Sequence, residues 1–371
     1  MNERETMLAE CRQIVVKAGT RLLTDPELIP VLIKGIVKLR NAGYRVLLVS
    51  SGAVGTGIKM LGLAERPRKL AEIQMLAALG QGRLMEFYNE VCEKEGFFAA
   101  QLLLTRADLH HRERYLNVKN CIDSLWSRGI LPIVNENDSV SVDELKFSDN
   151  DILSGMLAAM TKSELTIILT TESGLRKRNA DGKLGRRISV VKELTPEIMG
   201  NAGGTDNSTF SIGGMASKLH AAELVTRAGN YCIVADGRDP DVLEKIIKGE
   251  DIGTLFMPPS GAKVSGLKLW IRDFSKVMGR LIIDDGAAKA LRERGASLLP
   301  AGIRRVVGFF EAGDTVEIVR ASGDVVAYGI SNFSSAKCVE IQGLHGNAAE
   351  ILIGKNAPEE VVHRDKLTLR A

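Results

Sequence analysis

Two clusters of amides and carboxylates, Asn135-Glu136-Asn137-Asp138 and Asp149-Asn150-Asp151, flank one polar stretch of the chain. The first ends an apolar run, Gly129 to Val134, and the second opens another, Ile152 to Met160. Asn and Asp cap helices and tolerate tight turns, which accounts for such residues singly. Two clusters bracketing one loop point instead to a binding site, since open α/β sheets hold their ligands beyond the carboxyl ends of the strands.

Three further stretches carry charge or glycine to similar places. In Val15-Val16-Lys17-Ala18-Gly19-Thr20 a lysine closes an apolar strand. In Val49-Ser50-Ser51-Gly52-Ala53-Val54-Gly55 small residues run into a helix N-terminus, where backbone N–H groups and the helix dipole attract anions. In Ile212-Gly213-Gly214-Met215-Ala216-Ser217-Lys218 glycines precede a helix whose first turn holds a lysine. The dipole disfavours a cation there, so Lys218 reads as functional. No G-x-x-x-x-G-K-[ST] and no G-x-G-x-x-G occurs, so a nucleotide must be held by other means. Two lysines, two glycine-rich anion cradles and an Asn/Asp-rich pocket suit phosphoryl transfer, which runs on positioning and charge neutralisation. A carboxylate acceptor, with a pKa near ~4.3, would need no general base.

The elements that position these residues alternate. Gln13 to Lys17, Arg45 to Val49, Phe98 to Leu104, Ile130 to Val134, Leu165 to Thr170 and Tyr231 to Ala235 are continuous apolar runs, as strands buried on both faces are. Helical windows separate them: Pro26 to Asn41, Leu70 to Glu95, Glu113 to Arg128, Ile152 to Met160, Lys218 to Ala228 and Asp241 to Lys248. The series predicts an α/β domain, a three-layer αβα sandwich on a mainly parallel sheet, over 1–257. The N-terminus is expected to lead directly into the first strand, Arg176 to Arg187 to form an exposed hairpin, and Gly200 to Gly214 a mobile loop. A linker over 258–276 precedes a small, mostly-β domain or barrel at 277–357, with a tail over 358–371. Its strands are read at Arg280 to Ile283, Val306 to Phe309, Thr315 to Val319, Val325 to Ile330 and Lys337 to Ile341, and its one helix at Gly286 to Arg294.

Composition narrows the class. Of 371 residues 26% are charged, and the net charge is +3, too little field to argue for nucleic acid or an anionic membrane. From Val277 to Ala371, 12 Lys and Arg balance 12 Asp and Glu, so nucleic-acid binding is not expected of that domain. No apolar run reaches the ~18 residues that span a bilayer, and no signal peptide opens the chain, so a cytoplasmic protein without a membrane partner is expected. The five cysteines, Cys11, Cys92, Cys121, Cys232 and Cys338, are far apart, which suits reduced thiols and argues against a zinc site.

In order, the motifs resemble the amino acid kinase family, and within it the bacterial glutamate 5-kinases. The resemblance rests on the strand ending Val-Val-Lys-x-Gly-Thr and on Ser-Ser-Gly-Ala-Val. It continues through Leu102-Leu103-Leu104-Thr105-Arg106-Ala107-Asp108 with Arg112-Glu113-Arg114-Tyr115-Leu116-Asn117, then Val134-Asn135-Glu136-Asn137-Asp138, Asp149-Asn150-Asp151 and Gly213-Gly214-Met215-Ala216-Ser217-Lys218. Asp284-Asp285-Gly286-Ala287, the Gly295 to Ile303 segment and Gly313-Asp314-Thr315-Val316 are similar to a PUA domain. The resemblance implies ATP-dependent phosphorylation of the γ-carboxylate of L-glutamate, the first step of proline biosynthesis, with Mg²⁺ arriving on ATP and no residue assigned to a resident metal. It implies that Lys17 and Lys218 flank the transferring phosphoryl and Asp151 orients them. Ser51, Asn135, Asp138 and Asn150 would bind glutamate. Thr170, Thr171, Ile212, Gly213, Gly214, Met215, Ala216 and Ser217, with the two lysines, would bind ATP. A homo-oligomer with proline as feedback inhibitor is implied too. The chain departs from the family pattern at Thr171, where an aspartate is common, and at Ser211-Ile212, where Gly-Thr precedes Gly-Gly-Met.

Overall fold

A computed structural model describes residues 3–25, 27–141, 150–178, 183–201, 214–259, 266–354 and 357–370. They fall into two compact units, 1–108 with 117–264, and 265–371 with the short segment 109–116.

The first unit is the alternating series. Its strands are β1 (Gln13–Ala18), β2 (Arg45–Val49), β3 (Ala99–Leu104), β4 (Leu131–Glu136), β5 (Leu165–Thr170), β6 (Arg176–Arg178), β7 (Leu184–Arg187), β8 (Val190–Val191), β9 (Tyr231–Asp236) and β10 (Thr254–Phe256). Its helices are α1 (Glu3–Glu10), α2 (Thr20–Leu23), α3 (Leu28–Asn41), α4 (Ala53–Met60), α5 (Leu70–Lys94), α6 (Arg106–His110), α7 (Arg112–Ser127), α8 (Asn150–Thr161), α9 (Pro196–Gly200), α10 (Met215–Arg227) and α11 (Val242–Ile247), where the end of α6 and the start of α7 fall in the segment 109–116 that belongs to the second unit.

Eight strands form one sheet in the order β3-β4-β2-β1-β5-β9-β10-β8. The pairs from β3 across to β9 are parallel, and β10 runs antiparallel to β9. This is the mainly parallel sheet that the continuous Val, Ile and Leu runs predict. Its core gathers Ile14, Val16, Leu48, Ile133 and Ile167 from the strands with Ile33, Ile36 and Leu39 of α3 and Leu84 and Tyr88 of α5. The hairpin expected over 176–187 is present as antiparallel β6 and β7.

Register places the site. Lys17 pairs with Val49 on one side and with Ile168 on the other, and Val49 pairs in turn with Val134. The carboxyl ends of β1, β2, β4 and β5 therefore end level, and Lys17, Ser50-Ser51, Asn135 and Thr170 emerge along one edge. The chain proceeds outward from β1 in both directions along the sheet, so a crevice opens at that edge.

One expectation for this unit changes. The N-terminus forms α1 before the first strand, because Arg4 is buried and its guanidinium donates to Asp251 Oδ1 at 3.1 Å and to the carbonyls of Ser189 and Gly253 at 3.3 Å. The expected loop over 200–214 lies, apart from its ends, outside the described residues, as does Asp149.

The second unit holds β11 (Val277–Ile283), β12 (Ile303–Gly308), β13 (Thr315–Arg320), β14 (Val325–Ile330) and β15 (Leu367–Leu369), with helices α12 (Gly266–Leu269), α13 (Asp285–Arg294), α14 (Ser335–Ile341) and α15 (Gly346–Ile353). The five strands pair as β12-β11-β13-β14-β15, antiparallel except for β11 with β13. Lys337 to Ile341, expected as a strand, is helical. Ser334 caps α14 by accepting from the Lys337 N–H at 3.3 Å, and Cys338 and Ile341 on that helix join a core with Leu281, Ile318 and Val326. The expected single helix of this domain is thus joined by α14 and α15.

Candidate active site

Lys17 stands one residue before the end of the central strand β1 and is 3% exposed. Its Nζ lies 2.6 Å from Asp151 Oδ1. Asp151 is the second residue of α8 and is fully buried. Its other oxygen, Oδ2, accepts from Lys218 Nζ at 3.1 Å. Lys218 is the fourth residue of α10, follows Gly214 at the N-cap, and is 6% exposed. Burial alone would push the Asp151 carboxyl up, but the two ammonium groups outweigh it and hold the carboxyl below the usual carboxylate range. Two cations and one anion leave these three side chains with one positive charge in a buried setting. Such a centre favours an arriving anion.

The four residues expected to bind the acceptor lie beside it. Asn150, next to Asp151 in the chain, donates through Nδ2 to the Ser50 carbonyl at 3.0 Å, to Ser51 Oγ at 3.1 Å and to Asn135 Oδ1 at 3.0 Å. Asn135 donates onward to Gln81 Oε1 at 2.8 Å. Asp138 lies one step beyond, lining a cavity of about 230 Å³ with Gln81, Gln101, Glu136, Asn137 and Ser139 on its polar side. Gly52, at φ 91°, turns the chain from Ser51 into α4 in a left-handed conformation that glycine adopts without strain.

Of the expected nucleotide residues, Thr170 ends β5, and its carbonyl accepts from the Gly237 N–H at 2.8 Å. Thr171 follows it. Its carbonyl accepts from Arg238 at 2.8 Å, and Arg238 is itself paired with Asp236 at the end of β9. Gly214, Met215, Ala216 and Ser217 lead to Lys218 at the start of α10, while Ile212 and Gly213 lie outside the described residues.

Sequence reasoning missed two supports, both on α5. The buried stripe of that helix runs Ala77, Gln81, Leu84, Met85, Tyr88, Cys92. Gln81 holds Asn135, and Tyr88, whose phenol burial pushes up, shares a 3.0 Å hydrogen bond with Ser50 Oγ. The signal was an amide on an otherwise apolar stripe. Helix α5 reaches these loops because it packs backbone to backbone on α4. A Cβ on Gly80 would fall 2.0 Å from the Ala53 carbonyl oxygen, and one on Gly57 would fall 2.2 Å from that of Leu76.

A model of the amino acid kinase family matches residues 12–236, the stretch that carries every residue of this site. Glutamate 5-kinase of Deinococcus radiodurans is 42% identical over 360 residues, covering 96% of this chain and 97% of its own. The chain belongs to the amino acid kinase family, in its glutamate 5-kinase branch. The glutamate 5-kinase of Desulfotalea psychrophila is 40% identical over 376 residues, with both chains covered in full. That of Caldanaerobacter subterraneus subsp. tengcongensis is 40% identical over 367 residues, with 96% and 97% covered. A PUA domain model matches residues 279–353, within the second unit. As a member of this kinase family the chain is a phosphotransferase with ATP as co-substrate. No helix among the described residues is long and apolar enough to cross a membrane.

Proposed function

We propose that the chain transfers the γ-phosphoryl group of ATP to the side-chain carboxylate of L-glutamate, giving L-glutamyl 5-phosphate and ADP, the first step of proline biosynthesis. The observation that carries this reading is the sharing of the Asp151 carboxylate by Lys17 and Lys218, beside an amide network that ends in a cavity lined by acids.

A carboxylate oxygen attacks the γ-phosphorus, forming one O–P bond while the bond to the bridging oxygen of ADP breaks. No proton moves, because the acceptor is ionised at neutral pH. The obstacle is repulsion between two anions, worth about 4 kcal/mol for unit charges ~4 Å apart at an effective dielectric of ~20. Lys17 and Lys218 offset that repulsion from fixed positions, and the charge they neutralise grows on the leaving oxygen. Asp151 serves as an orienter, since both its oxygens are engaged by lysines. Mg²⁺ enters with the phosphates of ATP, which suit it as ligands.

Ser51, Asn135, Asn150 and Asp138 hold the amino acid, and Thr170, Thr171 and the 212–218 segment line the nucleotide. The same reading includes a homo-oligomer in the cytoplasm with proline as feedback inhibitor. The test is ADP release and hydroxamate formation with L-glutamate, N-acetylglutamate and L-aspartate side by side. L-Glutamate is expected to give the largest kcat/KM, and a preference for either of the others would reassign the acceptor.

A further inference from the structure

The amide network that reaches Asn150 from α5 is satisfied along its length but open at both ends. Gln81 Oε1 accepts from Asn135, and Asn135 Oδ1 accepts from Asn150. Gln81 Nε2 and Asn150 Oδ1 are buried and have no hydrogen-bond partner among the described residues. A buried donor without a partner is costly, and Gln81 is only 7% exposed. A buried unpaired donor calls for an explanation, and a ligand that accepts from it is one.

The cavity that Gln81 lines narrows what that is. Glu136 and Asp138 give it two carboxylates, and among the described residues its lining contains no lysine, arginine or histidine. It suits an ammonium, and in an amino acid the ammonium sits on the same carbon as a carboxylate. That carboxylate, brought in beside two acids, requires a neutral donor. Of the amides in the lining, Gln101 is exposed and Asn137, whose Oδ1 accepts from Ser139 at 2.5 Å, is only half-buried. Gln81 is the one that is both buried and short of a bond.

The direction of the network agrees. It runs from Asn150, adjacent to Asp151 and the two lysines, away to Gln81. An acceptor with its reacting oxygen at the lysines therefore places its far end near the far end of the network. We infer that Gln81 is a specificity-determining residue of the acceptor site, whose Nε2 donates to the α-carboxylate of the amino acid while Oε1 holds Asn135. This rests on the proposed phosphorylation of glutamate, and it adds a recognition contact for the end of the substrate that does not react.

Two variants separate the donor from the support. Gln81→Glu keeps an oxygen to accept from Asn135 and replaces the donor by a second oxygen. Gln81→Met fills the space and removes both. If Nε2 meets the α-carboxylate, both raise the KM for L-glutamate about tenfold or more and leave the KM for ATP within twofold. Gln81→Glu is then the worse, because it sets an anion against an anion. Were Gln81 only a prop for Asn135, Gln81→Glu would stay within twofold of wild type. Were Nε2 beside the ammonium, Gln81→Glu would bind glutamate more tightly. Either result overturns the inference while leaving the reaction intact. A wild-type chain that does not phosphorylate L-glutamate would instead remove the reading beneath it.

Discussion

Lys17 and Lys218 hold opposite oxygens of one buried carboxylate, Asp151, at 2.6 and 3.1 Å. One lysine comes from the central strand and the other from the first turn of α10, and each would be costly where it stands without the shared anion. The pairing brings the two ammonium groups together on one carboxylate, the arrangement on which the proposed phosphoryl transfer rests.

Asp151→Asn should therefore harm both stability and turnover. It removes the carboxylate charge that two buried ammonium groups share, and removing one member of a buried ion pair costs about 3–5 kcal/mol. Urea unfolding is expected to show a loss of that order, and steady-state assay a near-complete loss of kcat. A variant with wild-type stability would mean that the lysines find other anions.

Asp138→Ala is expected to raise the KM for L-glutamate several-fold and the KM for ATP by much less. Asp138 lines the cavity at the far side of the amide network from the lysines. Equal changes in both constants would move the amino acid elsewhere.

Gly80→Ala should destabilise by about 3 kcal/mol or more, at the upper end of overpacking costs, because the added carbon lands on the Ala53 carbonyl. Backbone has no rotamer by which to yield. The shift should also reach Ser50 and Ser51, which precede α4, so the glutamate KM should rise in whatever protein folds. Thermal unfolding and kinetics of the same preparation check both effects.

The acid limb of stability should depend on Asp251. Hydrogen bonds from Arg187 bring its carboxyl down to about 2, with burial opposing and Ser189 assisting. A folded-state pKa below the unfolded one gives stability that is present above about pH 4 and lost as pH falls towards about 2. The side chain is 58% exposed, so solvent screening limits the effect to about 1 kcal/mol or less. Asp251→Asn should lower the unfolding temperature at neutral pH and flatten its decline between those two values. An unchanged decline would assign it to other carboxylates.

Much of this was legible in the sequence where one physical constraint dominated. Both-face burial writes β1, β2, β4, β5 and β9 as unbroken apolar runs, and a lysine at a helix N-terminus marks Lys218 by its misfit. What tertiary contact decides was not legible. Helix α1 is charged and short, and it holds because Arg4 reaches across to Asp251, 247 residues away. Residues 337–341 read as a strand, and a serine cap with a place in the second core makes them helical. Gln81 and Tyr88 lay hidden in a helix whose period accounts for them, and their roles emerge only when α5 meets the ends of β2 and β4.

The most direct test of the shared centre is a kinetic cycle of Lys17→Ala, Lys218→Ala and the double variant, measured as hydroxamate formation from L-glutamate and ATP. Each single change is expected to lower kcat by about 10²–10³-fold with the fold intact, as removal of one preorganised donor does. The double variant should be little worse than either, because the groups act as a unit. Near-normal turnover by Lys218→Ala, or losses that multiply in the double variant, would contradict the account.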